Sequence, residues 1–498
     1  MTTWLDDVHV AVARGGAEYP AQPPFHPSDS YPECPFGERS RSDNLAYAAV
    51  RQALRLLHLD EQNYGTRAWN PLSFLVTPGD TVVLKPNLIR ECHALRPEEW
   101  QQVITHGSVI RAVLDYVFIA GGPTTHVVIA DGPQTDSDFP AICTRNGLDE
   151  IVSFYRDRGF AVSLLDLRRD RWFQKGDVIY KRVPLPGDPA GYVTVDLAHA
   201  SEFVDYRLNG RFYGADYDMA DTASFHTNGR HAYVLCRTVA DANVVINLPK
   251  LKTHKKTGVT LSLKNVVGVN GYRNCLPHHT RGTPADGGDE FPDSSLARRA
   301  QSQAITTFKH ALHIGGGRGG AWARAAKRIG RVLFGDTHHV VRSGNWYGND
   351  TTWRMVLDLN KALLYFDGTG AARRRPLNYL TLVDGIVAGA GDGPLAPDPV
   401  PAGLVVAGFN PVAVDTVCTT LMGFDYQRLP LLARGWQTRE LPLAKFKAEA
   451  VVCESTASEW TGSFSKLLGA PHLGFRAHFG WVGRIERESH WTASHSSI

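Results

Sequence analysis

The sequence predicts an α/β protein: an open, mostly parallel sheet with helices on both faces, interrupted by insertions. Three observations predict it. Short apolar runs of strand length recur, and each stops abruptly at Lys, Asp or Gly. Segments with apolar residues at helical spacing alternate with those runs, the pattern of a parallel sheet covered on both faces. The alternation resumes after each long interruption.

The elements follow in order. Residues 1–42 read as an irregular extension punctuated by Pro20, Pro23, Pro24, Pro27, Pro32 and Pro35. Ser42-Asp43 then offers a cap to a helix whose Ala46, Val50, Ala53, Leu54 and Leu57 share one face. Thr81–Leu84, after the turn Pro78-Gly79-Asp80, reads as a buried strand running into Lys85-Pro86-Asn87. His106-Gly107-Ser108 precedes a second helix, with Ser108 as the expected cap and Val109, Ile110, Val113, Leu114 and Val117 at helical spacing. Val127–Ala130 is a strand that stops at Asp131-Gly132-Pro133. A helix carrying Leu148, Ile151, Val152 and Tyr155 and a strand at Ala161–Leu165 follow.

Residues 43–280 thus read as the first part of the α/β core, with a β-rich insertion near 168–240. Val244–Leu248 is a further buried strand that ends at Pro249-Lys250. Residues 281–350 read as a loop and basic helical insertion, with a glycine hinge at Gly315–Gly320 and a basic amphipathic helix at Ala321–Phe334. Residues 351–430 complete the core: Leu380–Val383 runs into Asp384-Gly385, Leu404–Ala407 into Gly408, and Pro411 opens a helix. Residues 431–498 read as a C-terminal extension.

Composition narrows the function. At 498 residues the chain exceeds one ordinary domain. A hydrophobic fraction of 43% and a charged fraction of 21% exclude a disordered chain, a collagen and a coiled coil. Lys and Arg total 53 against 50 Asp and Glu, a net charge of +3, so nucleic acid is not an expected partner. Seven scattered Cys without C-x-x-C match no disulfide framework and no zinc or iron–sulfur motif; reduced, cytoplasmic thiols are expected. The first residues carry acids where a signal peptide needs bases, and no run of about 18 apolar residues predicts a membrane span.

In an open parallel sheet, ligands bind beyond the carboxyl ends of the strands. That rule selects Lys85, Asn87, Asp131, Lys250, Lys252 and Asp384 as lining a common cleft; the alternative is that each merely caps a turn or helix. The densest segment runs from Asn247 to Gly268. Five Lys and His254 lie between positions 250 and 264, an anion site for carboxylate or phosphate. Lys264 follows an apolar stretch, and a desolvated Lys beside other cations becomes a usable base or nucleophile. His106 and His254 are candidate acid–base groups alongside Asp131. Asn265 joins the substrate-binding set, and Asp384 and Asp415 are expected to orient it. A divalent metal would draw on His254, His278 and His279, although adjacent His cannot point the same way on a strand. Asp286, Asp289 and Glu290 form an acidic patch that reads either as a cation chelator or as a soluble loop. The basic helix at 321–334 points to peripheral membrane contact.

The residues therefore favour an enzyme acting on a small anionic substrate through acid–base or metal-assisted chemistry. The alternative is a non-catalytic binding or assembly protein, membrane-peripheral, in a biosynthetic pathway. Oligomeric state is not readable.

The strings VVLKPNL (82–88), THGSVIRAVLDYV (105–117), VVINLPKLKTHKKTGVTLSLKNVVG (244–268), TLVDGIVAGAGDGP (381–394) and AGFNPVAVDTVCTTLMG (407–423) together resemble the domain of unknown function 362 family, over about residues 43–425. Many members carry a ferredoxin-type four-Cys module. This chain has none, so no iron–sulfur cluster is expected. A weaker, site-level resemblance is to the nickel-pincer lactate racemase family, which uses a His, a cofactor-bearing Lys ten positions on, a further His and an earlier His at a helix start. His254, Lys264, His278 or His279, and His106 stand in that order here. The resemblance implies a nickel-pincer-type cofactor on Lys264 and does not extend to racemase activity. That family's Gly/Ser pattern is reproduced only in part, by Thr257-Gly258 and Ser262.

Overall fold

The computed structural model describes residues 4–175, 178–207, 210–314 and 340–487. The glycine hinge at 315–320 and the basic helix at 321–334 lie outside the described residues. The first strands are β1 (His9–Arg14), β2 (Thr81–Pro86), β3 (His126–Asp131) and β4 (Ala161–Asp166). Next come β5 (Asp170–Lys175), β6 (Val178–Pro184), β7 (Tyr192–Asp196), β8 (Phe212–Tyr213) and β9 (Ala232–Cys236). The second half supplies β10 (Val244–Leu248), β11 (Lys250–His254), β12 (Gly258–Thr260), β13 (His279–Thr280), β14 (Asn378–Asp392), β15 (Ala396–Val400), β16 (Leu404–Gly408), β17 (Val452–Ser455) and β18 (Gly462–Ser463).

The main sheet has twelve strands, ordered β18-β17-β1-β16-β14-β10-β2-β3-β4, with β11, β12 and β15 branching from it. Neighbours from β14 through β10, β2 and β3 to β4 are all parallel. The antiparallel pairs β1–β16 and β16–β14 make the other half mixed. The expected α/β class is therefore observed.

The period of two explains why the central strands read as continuous apolar runs. Val83, Val245, Val383 and Val406 enter the apolar layer on one face. Val82, Leu84, Val244, Ile246, Leu380, Leu382, Val405 and Ala407 enter the layer on the other. A strand buried on both faces has no polar side to show. The antiparallel pairs β5–β6 and β7–β9 lie off this sheet, within the stretch read as a β-rich insertion. Among the described residues, no helix is long and apolar enough to cross a membrane.

Four local expectations are corrected. The helix Leu45–Leu56 is capped by Asn44, whose side chain accepts from Tyr47 N–H, and not by Ser42-Asp43. The helix Gly107–Gly121 is capped by the His106 ring, not by Ser108. Residues 9–14, read as irregular, form β1, inserted between β16 and β17; its alternating residues look unremarkable in sequence because its partners are remote. The strand read as Val244–Leu248 ends where expected, with a new strand, β11, beginning at Lys250, whereas the strand thought to stop at Val383 continues. Pro249, which has no N–H for a ladder bond, separates β10 from β11, and the register shift against β14 falls between Lys250 and Lys252. β14 runs through Asp384 to Asp392.

The acidic patch is structural. Asp289 accepts from Thr280 N (2.6 Å), Asp350 N (2.9 Å), Thr351 N (3.0 Å) and Thr351 Oγ1 (2.7 Å). Glu290 accepts from Ser302 Oγ at 2.7 Å. Both carboxyls are buried; Asp289 ties the start of the 281–350 stretch to Asp350 and Thr351, and Glu290 ties it to Ser302 within that stretch.

Candidate functional site

The parallel strands β14, β10, β2 and β3 place their carboxyl ends on one edge of the sheet. The continuation β11 returns along that edge, pairing Lys250 with Asp384 of β14. Because β11 is extended, Lys250, Lys252 and His254 alternate with Leu251 and Thr253 and share a face. All five residues of this strand are buried.

Two ion pairs form the floor. Lys85 Nζ lies 2.8 Å from Asp131 Oδ1 and donates to Pro86 O (2.8 Å) and Asn265 Oδ1 (3.1 Å). The other oxygen of Asp131 accepts from Leu88 N at 2.7 Å. Lys250 Nζ lies 3.0 Å from Asp384 Oδ2. Asp384 also accepts from Tyr19 OH (2.5 Å) and His106 N (2.9 Å). Asn87 extends the first pair: its Nδ2 donates to Asn265 Oδ1 (2.9 Å) and its Oδ1 accepts from Lys252 Nζ (3.0 Å). Lys252 further donates to the carbonyls of Val103 and Pro394. Lys85, Asn87, Asp131, Lys252 and Asn265 are thus joined in one hydrogen-bonded network, and Lys250 and Asp384 form a second with Tyr19 and the His106 N–H.

His106 is a fixed element of this network. Its ring stacks between Tyr19 (centroids 3.9 Å apart, planes 4° apart) and Trp100 (5.1 Å, 16°). Its Nδ1 accepts from Ser108 N at 3.1 Å. Burial, with Lys250 nearby, holds its pKa well below the ordinary value.

Lys264 lies on a four-residue helix, Ser262–Asn265, whose first N–H groups are held by the buried Asp415. Oδ1 accepts from Ser262 N (2.7 Å) and Oδ2 from Leu263 N (2.9 Å). Burial pushes the Asp415 pKa up to about 8 in spite of those two bonds. On the same helix Asn265 donates to Lys85 O (3.1 Å) and Asn247 Oδ1 (2.7 Å). The short helix carrying Lys264 is thereby held from two sides. Burial, with Lys85 and Arg273 close by, lowers its pKa to about 7. Lys252 is lowered well below the usual range by burial and by Lys250 and Lys264. Lys255 is lowered by burial.

The three His of the expected metal set separate. His254 Nδ1 accepts from Lys256 N at 3.1 Å, which assigns the proton of the neutral ring to Nε2. That tautomer presents an N–H donor, not a lone pair for a metal. His278 is the opposite case: its Nδ1–H donates to Leu276 O at 2.8 Å and leaves Nε2 with its lone pair. His279 turns away onto the Tyr213 ring, 4.7 Å between centroids. Among the described residues no three His, Cys, Asp or Glu are grouped to hold a metal ion. The donors around Lys264 therefore do not fit a metal held by His254.

Sequence reasoning missed Tyr19, Trp100, Arg273 and His478. Arg273 donates to the carbonyls of Gly132 and Pro133, beside Asp131. His478 stands close enough to lower the His254 pKa. Lys256 donates to His278 O at 3.2 Å and to Ser343 O, and is half-buried.

Gly268 makes the floor possible. A Cβ there would lie 2.0 Å from Asp131 Oδ1 and 2.8 Å from Lys85 Nζ. Gly268→Ala is expected to push the pair apart and to destabilise the fold by about 1–3 kcal/mol. Urea unfolding checks this, and an unchanged midpoint would refute the packing account.

Residues 197–420 match the family described as Domain of unknown function (DUF362), within the span whose motifs carried that resemblance. A thylakoid-associated protein of Synechocystis sp. is 25% identical over 358 residues, covering 72% of this chain and 68% of that protein. A crystal structure of a protein from Thermotoga maritima aligns over 69% of this chain and 54% of that one, at 12% identity and a TM-score of 0.31.

Proposed function

For a chain that carries a DUF362 domain, we propose an enzyme that binds a small carboxylate or phosphate at the strand-end cleft and acts on it by acid–base chemistry at Lys264. One observation carries this reading: the cleft gathers more buried basic side chains than the carboxylates Asp131 and Asp384 pair with. Asp131 and Asp384 are engaged by Lys85 and Lys250. Lys252, Lys264 and Arg273 remain, and burial holds each pKa below its ordinary value. Concentrating cations in low dielectric is unfavourable unless an anion completes the charge. The neutral His254 ring adds an N–H donor beside them. The proposed location is cytoplasmic, in keeping with free thiols at all seven Cys.

Calorimetric titration of the full chain with oxalate and with inorganic phosphate tests the reading. Saturable binding of either is expected, weakened about 10–150-fold in Lys264→Met, the range for one charge-assisted hydrogen bond of about 1.5–3 kcal/mol. If neither ligand binds at millimolar concentration, the reading fails.

A second reading, a membrane-peripheral binding or assembly protein in a biosynthetic pathway, is favoured by the name of the thylakoid-associated relative and by the basic sequence at 321–334. Co-sedimentation with anionic vesicles, abolished when Arg324, Lys327, Arg328 and Arg331 are replaced by Gln, is its expected signature. Equal recovery with and without vesicles would discard it.

A further inference from the structure

We propose that a second pocket, between the helix Leu296–Ile314 and the end of the β8–β13 pair, binds a small sugar phosphate, apart from the strand-end cleft. The pocket encloses about 370 Å³. Its first wall is helical: Arg299, Ser302, Gln303 and Thr306 line it and follow the i, i+3, i+4, i+7 spacing of one helix face. Its second wall comes from the strand pair. β13 runs antiparallel to β8, with His279 opposite Tyr213 and Thr280 opposite Phe212. One step further along that ladder, Arg281 N donates to Arg211 O at 2.9 Å, so two arginines stand side by side. Like charges placed opposite each other on neighbouring strands are unfavourable. Both nevertheless line the same pocket.

The three guanidinium groups are held unequally. Arg299 Nη2 lies 3.2 Å from Asp286 Oδ1. Arg211 donates to Arg281 O (3.0 Å) and Asp286 O (3.3 Å), while its Nε is shielded from solvent and donates to nothing among the described residues. Gly282 admits that packing, since a Cβ there would stand 2.9 Å from Arg211 Nη2. Among the described residues the Arg281 guanidinium makes no hydrogen bond or ion pair. Asp286 is the carboxylate of the lining. A further carboxylate, Glu290, is fully buried outside the lining and accepts from Ser302 Oγ (2.7 Å) and Gly282 N (3.2 Å). Three arginines against these two carboxylates leave one guanidinium charge uncompensated.

An anion completes this arrangement. A carboxylate offers two oxygens in one plane, which a single guanidinium fork can occupy; a phosphate monoester offers three around a tetrahedron, open to arginines from both walls. The volume lies within the range of about 300–1,000 Å³ usual for small-molecule sites, so the phosphate would bring a body with it. Among the described residues no aromatic ring lines the pocket, so nothing there stacks on a nucleobase. Ser302, Gln303 and Thr306 instead present hydroxyl and amide groups, which match the hydroxyls of a sugar.

Calorimetric titration of the full chain with glucose 6-phosphate tests this, beside glucose, inorganic phosphate and AMP. Saturable binding of glucose 6-phosphate is expected, with glucose silent and the other two weaker. Arg281→Gln should weaken it about 10–150-fold, the range for one hydrogen bond to a charged group. Its urea midpoint should not move, because the Arg281 guanidinium holds nothing else in place. Gln303→Glu, on an exposed part of the helix face, sets a carboxylate among the arginines and should weaken binding too; it decides the outcome if Arg281→Gln does not fold. Lys264→Met should leave the affinity unchanged, which separates this pocket from the strand-end cleft. No saturation at millimolar glucose 6-phosphate, or equal affinity in Gln303→Glu, overturns the site. Binding lost in Lys264→Met and kept in Arg281→Gln would move the phosphate to the strand-end cleft and overturn it here. AMP or inorganic phosphate binding as tightly as glucose 6-phosphate would overturn the assignment of a sugar.

Discussion

Asp384→Asn is expected to destabilise the protein by about 3–5 kcal/mol, the cost of leaving a buried charge without its partner. Lys250 and Asp384 are both fully shielded from solvent. The carboxylate also accepts from Tyr19 OH, which fastens residues 15–44 over the sheet edge, and from His106 N, which starts the helix Gly107–Gly121. The amide keeps one acceptor oxygen and turns an NH₂ toward donors already in place. Urea unfolding of the single variant should show a clear fall in midpoint. A double variant, Lys250→Met with Asp384→Leu, should recover much of the loss, because it removes both charges together. A single variant as stable as the parent would show that the pair does not hold the site.

Anion binding is expected to weaken about tenfold per pH unit above pH 7, and to draw in about one proton. The sign follows from Lys264. In the free protein its pKa is about 7, so above that pH the group is increasingly neutral. A bound anion favours the ammonium and raises the pKa, so protonated and liganded states support each other. Binding is at full strength below pH 7 and is lost as pH rises through the free value toward the liganded one. Titrations in two buffers of different ionisation enthalpy would measure the uptake. An affinity flat from pH 6 to 9 would remove Lys264 from the binding account.

Much of this architecture was legible in the sequence. Strands β2, β3, β10 and β16 announce themselves as apolar runs because both their faces are covered. Their terminal Lys85, Asp131 and Asn247 mark the sheet edge because polar groups cannot continue into the core. The Lys-x-Lys-x-His string held a further signal: read at a strand's period of two, it predicts a shared face for Lys250, Lys252 and His254. Pro249 masked it by suggesting a loop. Tyr19, Trp100, Arg273 and His478 had no such signal. They reach the site from connecting segments, where apolar periodicity says nothing about which way a side chain turns. The His tautomers lay equally beyond sequence, since one backbone N–H, from Lys256, decides whether His254 is a donor or a ligand.

The position of β1 bears on how the chain is made. This strand pairs with β16 on one side and β17 on the other. A ribosome that has released residues 9–14 must add roughly 390 more before the first of those partners exists, roughly 20–80 s at about 5–20 residues per second. Throughout that interval Val10, Ala11, Val12 and Ala13 lack both strand partners. Production of this protein should therefore respond to holdase chaperones, and a slow stretch of codons would lengthen the exposure of that one segment more than any other.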